Sequence, residues 1–164
     1  MSDKHTKVTQ KMWDMMKGIG FAMLTTEDGG QLRARPMVAA QADFDGMLWF
    51  FTKASSHKVD EVQHEQRVGV TYADAGKQDY VSLSGMARLV RDKASIDSHW
   101  SESMRTWFPK GKDDPEVALL KVDIDTAEYW DAPNHTMLHA YGYVKALVTG
   151  TSPHPGGNEK VRFT

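Results

Sequence analysis

Residues 48–62 read LWFFTKASSHKVDEV. An apolar run ends in Thr52-Lys53, and two serines, a histidine and a second lysine follow at once. The run MLWFFT has the length and aromatic content of a buried strand. SSHKVDEVQHE then reads as a helix, because Ser55 or Ser56 can cap it and Asp60 and Glu61 suit its first turns. Lys58 falls in the same first turn, where a cation is poorly placed against the helix dipole. On these residues alone two explanations stay open. The stretch is a serine-capped helix with solvated lysines, or a helix start whose N–H groups, hydroxyls and ammonium groups cradle an anion.

The flanks decide what kind of sheet this strand joins. Upstream, Val8, Met12 and Met15 recur at helical spacing before Gly18, which predicts a first helix over about residues 6–17. IGFAMLTT reads as a strand, Glu27-Asp28-Gly29-Gly30 as a turn, and QLRARPMVAAQA as the returning strand. Pro36 lacks an N–H, so it marks an edge, a bulge or a place where a ligand borders the backbone. DFDG is the turn that leads into MLWFFT.

Downstream, RVGVTYAD is a fourth strand, AGKQ a turn, and DYVSLSGMARLVR a long fifth strand. Asp92 can cap a helical segment through Trp107, and PKGKDDP is a loop. VALLKVDIDTAEYW is a last strand with Ala118, Leu120, Val122 and Ile124 on one face. Met137, Tyr141, Val144 and Val148 mark a final helix that Gly150 ends. The sum is about six strands joined mostly by hairpin turns. That pattern predicts a mainly β (α+β) domain over residues 1–150: an antiparallel β-barrel with peripheral helices, not an alternating βαβ sheet. Residues 151–164, TSPHPGGNEKVRFT, read as a loosely ordered C-terminal tail.

Composition narrows the function classes. The chain has 164 residues, 40% hydrophobic and 26% charged, which fits one globular domain with a sizeable core. Its formal net charge of −2 gives no footprint for nucleic acid or an anionic membrane. With no cysteine, disulfides, thiolate metal sites and cysteine nucleophiles are excluded. No segment has the apolar length of a signal peptide core or a membrane span, so a cytoplasmic protein is expected.

Several residues are candidates for a site. Arg33 and Arg35 are two apart and share a strand face, where they can grip a phosphate or simply be solvated. Trp49, Trp100, Trp107, Trp130, Tyr80 and Tyr129 can wall a flat ring or serve as core. His135 and His139 sit at i, i+4, but HxxxH without a third ligand is a weak metal signal, and His57 and His64 call for the same caution. There is no GxSxG, P-loop or HExxH, so no catalytic residue and no metal site is assigned.

Taken together, RPMVAA at 35–40, LWFFTKASSHKVDEV at 48–62 and SMRTWFPKGKDDPEVALLKVDIDTAEYWD at 103–131 make the chain resemble the pyridoxamine 5′-phosphate oxidase-like flavoproteins. The last segment is similar to their general stress protein 26 branch. The resemblance implies the six-stranded FMN-binding split barrel, with FMN at the interface of a homodimer. It implies that Arg35, Thr52, Ser56 and Lys58 hold the FMN phosphate, with Lys53 in the same run. His57 stands where the oxidases usually carry arginine, so phosphate affinity is expected to be weaker or pH-dependent. Pro36, Met37 and Val38 are expected to offer backbone to the isoalloxazine, and Phe51 to lie near the ribityl and ring. Trp130 resembles an aromatic that reaches the flavin from near the last strand, from the partner subunit.

Two functions of different kinds fit that resemblance. One is a flavoprotein of the general stress type with flavin-dependent electron or hydride transfer, partnered by NAD(P)H or a small-molecule substrate. The other is a non-catalytic FMN carrier or stress sensor. A plainer alternative is a dimeric structural protein with an empty site. Pyridoxine 5′-phosphate oxidation is not expected, because WDAPNHTMLHAYGYVKALV lacks the Arg-Leu-His element of the vitamin-B6 oxidases.

Overall fold

Gly29 and Gly30 close the first hairpin with positive φ of 59° and 84°, the backbone that a two-residue turn between twisted strands requires. The structure, a computed structural model, describes residues 3–131 and 157–163, with side chains from residue 6 onward and, in the last strand, from residue 159. The expected helix at Met137–Val148 and the His135–His139 pair lie outside the described residues.

Helix α1 spans Asp3–Ile19, and β1 (Phe21–Asp28) and β2 (Gln31–Val38) form the hairpin. Then come β3 (Met47–Lys53), α2 (His57–His64), β4 (Arg67–Asp74) and β5 (Asp79–Val90). Helix α3 (Lys93–His99), a short 3-10 turn (Glu102–Thr106), β6 (Val117–Asp131) and β7 (Gly157–Arg162) are the remaining elements among the described residues. Among the described residues all the pairings are antiparallel, in the order β2-β1-β4-β5-β6-β3, with β7 also on β6. These are the six barrel strands the sequence predicts, plus one. Residues 157–162, expected as loose tail, pair with Thr126–Asp131 and place Val161 in the core.

The helix expected from Asp92 through Trp107 is broken. Asp92 caps it as predicted, accepting from the Ser95 N–H at 2.8 Å. Trp100 then adopts an extended backbone and packs its ring against Phe51 and Phe108. Burying that indole outweighs one more helical turn.

The barrel interior is filled by alternate residues of β1, β3, β4, β5 and β6, among them Leu24, Leu48, Phe50, Val70, Leu83, Leu120 and Val122. Each such burial contributes roughly 1.5–3 kcal/mol. Helix α1 covers the barrel with Met12, Trp13 and Met16. A smaller cluster lies outside β3 and β6, where Phe51 and Trp49 meet Trp100, Ile96, Phe108 and Leu119. The strand ladder bends at Ser84/Gly85, where a Cβ on Gly85 would fall 2.1 Å from the Asp123 carbonyl oxygen. Only glycine permits that approach.

The first and last strands of the path, β2 and β3, meet at one point. Ala39 bridges Phe50, and the Ala40 N–H donates to the Trp49 carbonyl at 2.8 Å. Beyond that bridge β2 and β3 no longer pair, and the barrel is split. Pro36 sits on the free side of β2, as its missing N–H requires. Helix α2 follows β3, packs on β1 and β5, buries Val59, Glu61 and Val62, and reaches β2 and β3 through side-chain contacts of Glu61, Ser56 and Lys58.

Candidate functional site at the barrel split

Three side chains converge where β3 turns into α2. Thr52 points inward at the end of β3 and is buried. Ser56 occupies the N-cap position of α2, but its side chain caps nothing. Its hydroxyl instead lies 3.0 Å from the Thr52 hydroxyl. The Lys58 ammonium donates to the same Thr52 oxygen at 3.2 Å. Ser56 therefore stands at a helix start, but its oxygen is not spent on the helix.

Lys58 has no carboxylate within ion-pair distance among the described residues. Burial, then the charge of Arg35, holds its ammonium below the ordinary lysine value, and Glu61 offsets this only in part. A half-desolvated cation beside a second cation is stabilised by a bound anion. The His57 and Lys58 N–H groups open α2 at the same end, while the Val59 N–H already donates to the Ser56 carbonyl at 2.9 Å.

On β2, alternation puts Arg33 and Arg35 on one face, and both reach Glu61. Arg35 Nη2 donates to Glu61 Oε2 at 2.6 Å and Arg33 Nη1 stands 3.2 Å from Oε1. Buried Thr26 links the group, donating to Glu61 Oε2 and accepting from Arg35 Nη1. Burial pushes the Glu61 carboxyl up, but the Thr26 and Arg35 hydrogen bonds and the two arginine charges outweigh it and leave it below the ordinary value. Neither Glu61 nor Thr26 was singled out as a site residue from the sequence. The available signals were a carboxylate at i+3 from Lys58 beside the apolar Val59–Val62 flank, and a polar residue in register with Ala22 and Leu24.

His57 takes a different direction from Ser56 and Lys58. Its Nε2 lies 3.2 Å from Asp28 Oδ2 and 3.6 Å from Glu61 Oε1. The His57 ring, then the Arg33 guanidinium, holds Asp28 below its ordinary value. Asp28, His57 and Glu61 bring ligand atoms within 4.8 Å of one another, a spacing a metal ion could use. Arg33 Nη1, at 3.1 Å from Asp28 and 3.2 Å from Glu61, already fills the cationic position between them.

The remaining expected residues are not all at this point. Phe51 and Lys53 project from the opposite face of β3 to Thr52, Phe51 into the outer aromatic cluster. Met37 packs on the barrel core, while Pro36 and Val38 face outward. Trp130 is half-exposed beside Tyr80, far along β6 from Ala118, the partner of Thr52. Residues 118 to 130 span on the order of 40 Å of strand at ~3.3 Å per residue. Within one chain Trp130 does not join the cradle.

The model of a family described as pyridoxamine 5′-phosphate oxidase like matches residues 7–154, nearly the whole chain. The chain belongs to the pyridoxamine 5′-phosphate oxidase-like family. Among members with solved structures, the general stress FMN/FAD binding protein of Xanthomonas citri is 30% identical, with a TM-score of 0.70 over 79% of this chain and 92% of that one. A structure assigned as a general stress protein 26 from Jannaschia sp. CCS1 is 28% identical, with a TM-score of 0.74 over 96% of this chain and 99% of that one. Protein bli-3 of Neurospora crassa is 26% identical over 162 residues, covering 90% of this chain and 78% of the relative. In this family member the barrel split carries the cluster of Arg35, Thr52, Ser56 and Lys58. No helix among the described residues is long and apolar enough to cross a membrane.

Proposed function

We propose that this family member binds FMN at the barrel split and serves flavin-dependent electron or hydride transfer. The observation that carries the reading is the Thr52–Ser56–Lys58 cluster. Two hydroxyls and an ammonium without a carboxylate partner among the described residues meet at a helix N-terminus. That donor set fits a phosphate dianion. Arg35 lies close enough to lower the Lys58 pKa and keeps donors beyond the two it gives to Thr26 and Glu61. The similar Xanthomonas citri protein is a flavin binder by name.

The protein's part is to hold the phosphate, present the backbone of Pro36, Met37 and Val38 to the ring, and position the cofactor for its partner. The flavin, when bound, supplies the hydride or electron chemistry. A homodimer completes the site. Phe21 and Val38, cross-strand partners on the outer face, are exposed together with Met23, and such an apolar strip favours a second copy. Trp130 reaches the flavin only from that copy. The cytoplasm is the expected compartment, and NAD(P)H or a small molecule the redox partner.

The test is the visible spectrum of the purified protein and a fluorescence titration with FMN. Bound flavin that NADH or NADPH reduces favours the redox role. Bound flavin that neither reduces favours the carrier reading. A colourless protein that ignores added FMN removes both.

A further inference from the structure

We propose that Glu61, with Thr26, is a positioning residue that sets Arg35 for the phosphate and makes the site discriminate phosphorylated from unphosphorylated flavin. This inference rests on the flavin reading above.

Glu61 is 3% exposed, so its charge has been taken out of water and must be compensated. Each of its oxygens faces one guanidinium, Arg33 at Oε1 and Arg35 at Oε2. Thr26, 1% exposed, closes the triangle by donating to the carboxylate that Arg35 also meets and accepting from the other arm of the same guanidinium. A planar guanidinium held at both arms by two buried groups has one orientation. Its outer N–H groups are then aimed before any ligand arrives, and less rotamer entropy is lost on binding.

The carboxylate does not cancel the cradle, because Arg33 shares it. Arg33, Arg35 and Lys58 against Asp28 and Glu61 leave a net positive charge before His57 is counted. Without the carboxylate, Arg33 would keep Asp28, but the more buried Arg35 would lose its ion-pair partner and be left beside Arg33 and Lys58 as neighbouring cations. Mutual repulsion would splay them, and Arg35 would keep only the Thr26 contact. Loss of aim therefore outweighs the relief of removing one negative charge near the phosphate.

The experiment measures dissociation constants for FMN and for riboflavin, which lacks the phosphate, with the wild type, Glu61→Gln and Thr26→Val. Circular dichroism confirms that each variant is folded. Glu61→Gln is expected to weaken FMN about tenfold, the scale at which outer-shell partners act at other charged sites, and to leave riboflavin unchanged. Thr26→Val is expected to move FMN in the same direction by less, and it decides the matter if Glu61→Gln does not fold. If FMN binding is unchanged or tighter in the folded variant, Glu61 does not position Arg35. If FMN and riboflavin weaken together, the residue is only structural and the proposal is wrong. A wild type that binds neither flavin overturns the flavin reading itself, and this inference with it. A wild type that binds FMN, with folded variants that bind both flavins as the wild type does, overturns the inference alone.

Discussion

The Ser56 hydroxyl lies 3.0 Å from the Thr52 hydroxyl although Ser56 holds the N-cap position of α2. A serine in that place ordinarily accepts from a backbone N–H inside the helix, an interaction whose loss costs ~1 kcal/mol. Here the oxygen is aimed at the end of β3. Ser56→Ala should therefore cost well under ~1 kcal/mol in denaturant-derived stability while weakening FMN binding. Asp92→Ala is the control, because Asp92 does accept from the Ser95 N–H, and it should cost the usual ~1 kcal/mol. Equal losses from the two substitutions would mean that Ser56 serves the helix.

Lys58 is held in a half-buried place beside Arg35 with no carboxylate to pair with among the described residues. Lys58→Ala should leave the ligand-free protein as stable or slightly more so, because an unfavourable charge is removed. The same substitution combined with Arg35→Ala should cost on the order of 2–5 kcal/mol of FMN affinity, the sum of two charge-assisted contacts. Thermal melts and flavin titration of the same preparations check both halves. An unchanged FMN affinity in the double variant would show that the phosphate lies elsewhere.

Glu61 has a depressed pKa in the folded protein. In acid the unfolded chain therefore binds this proton first, so stability rises with pH through that window. The contribution is present above the unfolded carboxyl value near 4.5 and is lost as pH falls through the lower folded value. Urea unfolding from pH 7 down to pH 3 should show a steeper loss for the wild type than for Glu61→Gln. Parallel curves would mean that the ion pair with Arg35 contributes nothing to the acid limb.

Gly85 sits where β5 shifts register against β6, and a Cβ there meets backbone that cannot move aside, 2.1 Å from the Asp123 oxygen. Gly85→Ala should destabilise by more than ~2 kcal/mol through forced backbone shifts. Gly18→Ala, inside α1 with nothing within 4 Å, should be neutral or stabilising by up to ~1 kcal/mol. Melting temperatures that fall equally for the two would contradict the close approach.

Much of this could be read from the residues because local signals and tertiary structure agree. Gly29-Gly30 demanded a tight turn, Pro36 demanded an edge, and the alternation in VALLKVDIDTAEYW survives as the barrel face of β6. The pairing of Arg33 with Arg35 on one face was also visible, but their shared partner was not. Glu61 is remote from them in sequence, and a glutamate next to Asp60 near a helix start already has a local explanation in the helix dipole. The strand at 157–162 was hidden for a similar reason. TSPHPGGNEKVRFT is polar and carries glycine and proline, and only the open edge of β6 gives Gly157–Arg162 a partner. Trp100 ended its helix early for a contact with Phe51 that no local pattern announces.

The most direct measurement is a titration of the wild type and of the Arg35→Ala, Lys58→Ala double variant with FMN and riboflavin, followed by flavin fluorescence. A phosphate cradle at Arg35, Thr52, Ser56 and Lys58 requires that the wild type bind FMN more tightly than riboflavin and that the double variant lose this preference. Equal binding of the two flavins by the wild type, or no binding of either, would contradict it.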